Sequence, residues 1–260
     1  MSSECLSVVI PAYNEEATLA GVIHRVLPIP HLLEIIVVDD CSTDGTGAIA
    51  DELARLYGRV KAVRRERNGG KTEALKTGFA LTTGDIVIVQ DADLEYDPTE
   101  IEEVITPILD GKADVVYGSR FLVRRAARVL YFYHYLANKG LTFLSNLCTN
   151  VNLTDVETGY KAFRGEIIRN MIITSGGFGF EIEVTAKIAK LDCSMYEVPI
   201  SYHGRTYEQG KKIGLTDGFA ALWYILKFNL LCGLKESFRV LPSRESSTLS
   251  RSKEEGDNAH

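Results

Sequence analysis

Short, continuous apolar runs alternate with amphipathic stretches through the first half of the chain. Leu6 to Pro11 (LSVVIP), Glu34 to Asp40 (EIIVVDD), VKAV, Asp85 to Gln90 (DIVIVQ) and DVVYGS are rich in Val and Ile and do not alternate with polar residues. Such runs are strands covered on both faces. Between them, Glu15 to Leu27, Gly47 to Tyr57, Lys71 to Thr82 and Thr99 to Leu109 space their apolar residues at helical intervals, which predicts parallel pairing through βαβ crossovers. The expected architecture is α/β, a Rossmann-like, open, mostly parallel sheet with helices on both faces. Ligands of such sheets bind beyond the carboxyl ends of the strands, and Asn14, Asp39, Asp40, Asp91 and Asp93 all fall there.

The second half reads differently. Phe121 to Leu147 is a predicted helix with three arginines (Arg124, Arg125, Arg128) ahead of an aromatic cluster, Tyr131, Phe132, Tyr133 and Tyr135. A loop, NVNLTDVETGYKAFRG, brings Asp155 and Glu157 beside Thr158 and Gly159. Ile167 to Ile173 and Phe180 to Ala189 are predicted helices and Met195 to Tyr202 a strand. HGRTYEQGKKIG is a basic loop, and Thr216 to Cys232 an apolar helix. From Ser243 the Ser-rich, charged tail has almost nothing to bury and is expected to be disordered. No internal repeat is visible.

Composition removes some classes. A chain of 260 residues with 45% hydrophobic and 25% charged residues has an ordinary globular balance and enough length for a large core. The net charge of −6 argues against a nucleic-acid binder relying on a broad basic surface. Cys5, Cys41, Cys148, Cys193 and Cys232 are odd in number and scattered, without a C-x-x-C pair, so neither a disulfide framework nor a zinc site is indicated. A reducing compartment is expected. The amino terminus lacks a secretory pattern, and no uninterrupted apolar run reaches the roughly 18 residues of a spanning helix.

Chemistry concentrates in VIVQDADLEYDP, where a strand ends in carboxylates at every second position: Asp91, Asp93, Glu95 and Asp97. Such a row calls for a cation. An EF-hand loop would use Asp91, Asp93, Glu95, Asp97, Thr99 and Glu102, but its turn position holds Tyr96 instead of glycine and Pro98 follows. A P-loop at NGGKT would need glycine where Arg65 stands. Asp97, before Pro98 and Thr99, reads as a cap.

VVIPAYNEE, IIVVDDCSTDGT, GDIVIVQDADLEYDP, VVYGSRF, DVETGYKAF and GRTYEQGKKIG, in that order, resemble the landmarks of family 2 glycosyltransferases with the GT-A fold. More narrowly, they resemble the synthases that load mannose or glucose from a nucleotide sugar onto dolichyl or another polyprenyl phosphate. The resemblance runs from Ser7 to Phe228. It implies a metal-dependent inverting hexosyl transfer by one domain, 1–240, with a nucleotide-sugar half (1–120), an acceptor half (121–240) and a tail (243–260). Asp91, Asp93 and Glu95 are then expected around Mg²⁺ or Mn²⁺ on the phosphates of GDP-mannose or UDP-glucose, with Ala92 between them. Pro11, Ala12, Tyr13 and Glu15 would line the nucleotide pocket, Asp39 would meet the base or ribose, and Asp40 either shares that role or shapes the turn before Ser42. Lys71 would reach a phosphate or the base, or else be a solvated first-turn lysine.

On the acceptor side, the resemblance places Asp155 where a hydroxyl acceptor would need a base; a phosphate acceptor needs none. Arg120, Arg205, Lys211 and Lys212 are the candidates to draw in a phosphate, with arginine offering bidentate geometry. His203 is a weaker candidate for the diphosphate. The alternatives are a hydroxyl-acceptor transferase using Asp155 and a nucleotide-binding scaffold that keeps only the fold. Glu95 replaces a frequent amide of mannosyl members, KKIG departs from their serine and lysine, and NGGK resembles glucosyl relatives, so the sugar stays open. A cytoplasmic or peripheral enzyme is expected, with a separate membrane subunit as a possible partner. The Arg124 to Tyr135 segment suits a headgroup region. The Trp223 helix is expected to pack on the sheet.

Overall fold

The computed structural model describes residues 4–122, 131–177, 179–204 and 215–242. Seven described strands, β1 (Leu6–Ala12), β2 (Leu32–Asp39), β3 (Val60–Arg64), β4 (Ile86–Val89), β5 (Val115–Ser119), β6 (Lys161–Arg164) and β7 (Met195–Pro199), form one sheet in the order β3-β2-β1-β4-β6-β5-β7. All neighbours pair in parallel except β6, which runs antiparallel to both β4 and β5. The chain adds β2 and β3 on one side of β1 and β4 on the other, so the switch in direction lies at β1 and β4.

The continuous apolar runs are explained by two cores. Val8 and Ile10 of β1 face one, with Ile35, Val37 and the buried side of α1 (Leu19–Val26) and α4 (Ile101–Leu109). Val9 faces the other, with Val87 and Val89 of β4, Leu75 and Phe79 of α3 (Lys71–Leu81), and Phe180 and Val184 of α7 (Phe180–Ile188). Because successive strand side chains point to opposite faces, a strand between two cores needs apolar residues at every position. The remaining described helices are α2 (Thr46–Leu56), α5 (Phe132–Thr149), α6 (Gly165–Asn170), α8 (Leu215–Leu230) and α9 (Leu234–Ser237).

Three expectations are corrected. The helix expected from Phe121 begins, in its described part, at Phe132, and Phe121 and Leu122 are a bend beyond β5. The strand β6 emerges from what reads as loop. The helix carrying Trp223, α8, does not pack on the sheet: Ala221 and Ile225 pack with Ile182 of α7, while Leu222, Trp223, Leu226, Leu230 and Leu231 are exposed. Arg124, Arg125, Arg128 and the tail from Ser243 lie outside the described residues.

Candidate active site

The carboxyl ends of β2, β1 and β4 lie side by side and are laced together by their loops. Asn14, in the left-handed region at φ 55°, accepts from the Thr43 amide at 2.9 Å, and the Ser42 hydroxyl accepts from the Asn14 amide at 3.0 Å. The Glu15 amide donates to Thr46 Oγ1 at 2.8 Å, and the Glu15 carboxylate accepts from the Thr18 hydroxyl. Pro11 and Tyr13 are half-buried and Ala12 is buried at this rim. Asp39 and Asp40 divide their work differently from the expectation. It is Asp39 that shapes the turn, accepting from the Ser42 amide at 2.9 Å, while Asp40 grips Arg65 and the amides of Gly69 and Gly70. The second oxygen of Asp39 lies 3.3 Å from Arg64 Nε, yet it is buried and accepts no hydrogen bond among the described residues. A buried acceptor in that state suits a donor from outside the protein.

The D-x-D turn sits one strand over. Leu94 adopts φ 61°, and the Glu95 amide donates to Asp93 Oδ1 at 3.1 Å. Glu95 turns away, its carboxylate accepting from the Tyr202 hydroxyl at 2.7 Å. Among the described residues no group of three or more His, Cys, Asp or Glu side chains is placed to hold a metal ion. The expected triad is therefore not assembled by the chain itself. Two carboxylates on one turn, Asp91 and Asp93, do fit a hard cation that takes one or two carboxylates and completes its shell with substrate phosphates. Asp97 is a cap, accepting from the Thr99 amide.

Lys71 is not a solvated lysine. It opens α3, is largely buried, and its Nζ lies 2.9 Å from Asp91 Oδ1 and 3.2 Å from Glu181 Oε1. Burial alone would lower its pKa, but Asp91 and Glu181 outweigh that and hold it charged, above the usual lysine range. Gly159 makes room for this pair, since a Cβ there would come within 2.8 Å of both Asp91 Oδ2 and Lys71 Nζ. The helix start also needs glycine at 70, where φ is +83°.

Beyond β5, Arg120 and Asp155 form a forked pair: Nε to Oδ2 and Nη2 to Oδ1, both 2.7 Å, with the Arg120 amide adding a third bond. The Tyr202 ring faces the guanidinium at 5.2 Å. Burial raises the Asp155 pKa, but the Arg120 charge and its hydrogen bonds override it and leave the carboxyl below its ordinary value. Glu197 of β7 fixes the loop from beneath, accepting from the amides of Thr154 and Asp155. The His203 amide donates to the Glu95 carbonyl, and its side chain is exposed. Arg205, Lys211 and Lys212 lie outside the described residues.

Residues 7–172 match the family described as glycosyl transferase family 2. The chain belongs to that family. Among its relatives, the polyprenol monophosphomannose synthase of Mycolicibacterium smegmatis is 33% identical over 214 residues, 80% of either chain. The dolichol-phosphate mannosyltransferase of Pyrococcus furiosus is 32% identical over 81% of this chain and 60% of its own. The undecaprenyl-phosphate mannosyltransferase of Micrococcus luteus is 30% identical over 79% of this chain and 86% of its own. Among solved structures, glucosyl-3-phosphoglycerate synthase of Mycobacterium tuberculosis, with Mn²⁺, UDP and phosphoglyceric acid, has a TM-score of 0.70 at 22% identity. It covers 93% of this chain and 80% of its own. The sheet is that of the GT-A glycosyltransferases, and this family 2 protein is a glycosyltransferase.

Within this transferase the structure adds Glu181 and Lys161 to the residues singled out by the motifs, and gives Glu157 its setting. Glu181 bonds Lys71 through one oxygen, and its other is buried without a hydrogen-bond partner among the described residues, as is Oε1 of Glu157. Burial, then the nearby Glu181 charge, pushes Glu157 up to about 7. Lys161 of β6 is fully buried, donates to the carbonyls of Val156 and Thr158, and is lowered by burial to about 8. The available signal for Glu181 was a pair of carboxylates, 181 and 183, in an otherwise apolar helix start, FEIEV.

Proposed function

We propose that this glycosyltransferase moves a hexose from a nucleotide sugar to a polyprenyl phosphate at a membrane surface, with inversion at the anomeric carbon. The observation that carries the choice of acceptor is Asp155. It is 0% exposed, saturated by Arg120 and held ionised below the ordinary carboxylate range. A general base works best with a pKa near the operating pH, which Asp155 does not have. A phosphate acceptor arrives already charged. Its oxygen attacks the anomeric carbon, the bond to the diphosphate breaks, and the electron pair leaves with the nucleoside diphosphate; no protein group takes a proton.

Each side chain then has a defined task. Asp39, with its unbonded oxygen, receives the base or ribose at the rim made by Pro11, Ala12, Tyr13 and Glu15. Asp91 and Asp93 are the residues that would hold Mg²⁺ or Mn²⁺, and a bound divalent cation supplies charge neutralisation for the departing diphosphate. Lys71 adds a fixed positive charge beside them. Arg120, with Arg205 and Lys211, draws in the acceptor phosphate, and Asp155 holds the Arg120 fork in place. The curated relatives support this reading through their names, which specify polyprenyl, dolichol or undecaprenyl phosphate. Both GDP-mannose and UDP-glucose remain donors to try.

A second reading has one observation in its favour. A hydroxyl acceptor would find its base in Glu157, raised to about 7, not in Asp155. The variants separate the two. With a phosphate acceptor, both Asp155→Asn and Glu157→Gln keep measurable transfer to a short-chain polyprenyl phosphate, whereas with a hydroxyl acceptor loss of the Glu157 base costs about a hundredfold or more. Abolished transfer in Glu157→Gln, together with glycosylation of a sugar or glycerol hydroxyl by the wild type, would contradict the phosphate reading.

A further inference from the structure

The loop that carries Asp155 hangs on helix α5. Four successive loop residues each bond to it. Asn146 receives the Leu153 amide at 3.2 Å and donates to the Leu153 carbonyl at 2.7 Å. Lys139 Nζ donates to the Thr154 carbonyl at 3.0 Å, and Asn138 Nδ2 to Asp155 Oδ1 at 3.3 Å. Thr142 Oγ1 accepts from the Val156 amide at 3.2 Å and donates to Asn138 Oδ1 at 3.2 Å. Positions 138, 142 and 146 recur every fourth residue and so share one helix face.

The exposed side of the helix is built for something else. Phe132, Leu136, Phe143 and Leu147 lie on it, away from Thr142 and Ser145, with Phe143 66% and Leu147 71% exposed. Trp223 and Leu226 of α8, which packs beside α5, are exposed as well. From Phe132 to Thr149 there is no acidic residue, in a chain of net charge −6, and Arg124, Arg125 and Arg128 precede the helix in sequence. That charge pattern complements an anionic lipid surface.

We propose that α5 joins the lipid surface to the acceptor site: its outer face seats on the bilayer, and its inner row of Asn138, Thr142 and Asn146 sets the position of Asp155 and, through it, Arg120. Asn138 is thus a positioning residue for transfer. The inference rests on the lipid-phosphate reading above. Glu197, Ser119, Arg120 and Lys161 also hold the loop, and α5 is the anchor that carries an exposed apolar side as well.

The test uses the full chain with Mn²⁺, GDP-mannose or UDP-glucose, and a polyprenyl phosphate in phosphatidylglycerol-containing vesicles. Asn138→Leu removes the bonds to Asp155 and Thr142 and leaves the outer face intact. It lowers kcat about tenfold, while KM for the vesicle acceptor, vesicle partitioning and nucleoside diphosphate affinity stay within about twofold. Asn146→Ala, on the same row, gives the same split and serves if the first variant does not fold. Phe143→Ser with Leu147→Ser does the reverse, lowering vesicle partitioning and raising KM about tenfold with a smaller effect on kcat. Unchanged kcat in both inner-row variants, or a parallel loss of nucleotide affinity, overturns the inference, as does wild-type partitioning of the outer-face variant. A wild type that transfers to no polyprenyl phosphate overturns the acceptor reading as well, whereas active wild type with insensitive inner-row variants overturns this inference alone.

Discussion

Replacing Glu157 with Gln stabilises the protein at neutral pH and not in acid. Its carboxyl is pushed from an ordinary 4.5 to about 7 by burial and by the Glu181 charge. Between those values the folded protein keeps a proton that the unfolded chain has released, so this group's contribution to stability falls as pH rises from about 4.5 to about 7. Above that the full penalty is present. At about 1.4 kcal/mol per unit, it amounts to about 3 kcal/mol as an upper bound, because solvent reaching part of the side chain screens it. For a chain of this size, about 2–4 °C per kcal/mol converts it to a Tm gain of up to about 6–12 °C for Glu157→Gln at pH 7.5, and little at pH 4.5. Lys161, which titrates at about 8, lies above this window, and Arg120 and Asp155 keep their charges through most of it. Thermal melts of both proteins at four pH values between 4.5 and 7.5 measure the effect. A difference in Tm that does not change with pH, whatever its sign, would refute the reasoning, since the cost of the new amide group is independent of pH.

Two further predictions concern the donor side. Gly159→Ala drives a methyl group between Lys71 and Asp91, so transfer falls at least about tenfold while the far-ultraviolet circular dichroism is unchanged; wild-type activity would show that this contact is not needed. Asp93→Ala removes one of two candidate metal carboxylates on a half-buried turn, so Mn²⁺-dependent stabilisation by a nucleoside diphosphate disappears with little loss of Tm in the free protein. Undiminished stabilisation in excess chelator would contradict the assignment.

The sheet was legible because strands between two cores are apolar at successive positions, which Val8 to Ile10 and Ile35 to Val38 are. β6 was not, because its four residues include Lys161, whose charge is satisfied by backbone carbonyls and by the Tyr117 ring at 4.2 Å, partners that only the fold brings together. The different bonding of Asp39 and Asp40 has the same origin: adjacent residues at a strand end point to opposite faces, and their partners come from loops 3 and 29 to 30 residues away. Motif order singled out Asp91, Asp155 and Arg120, and the structure pairs the last two. It did not reveal that Glu95 turns to Tyr202, or that Glu181 meets Lys71 across the site. The exposed face of α8 was misjudged because an apolar helix carries no mark distinguishing a sheet partner from a neighbouring helix and an open surface.

The central claim is tested most directly by following labelled sugar from GDP-mannose and UDP-glucose into lipid extract, with polyprenyl phosphate and Mg²⁺ or Mn²⁺ present. The account predicts a mono-glycosyl polyprenyl phosphate, formed by one donor in preference to the other and lost in Arg120→Ala. Label in a sugar or glycerol hydroxyl product, with none in polyprenyl phosphate, would contradict it.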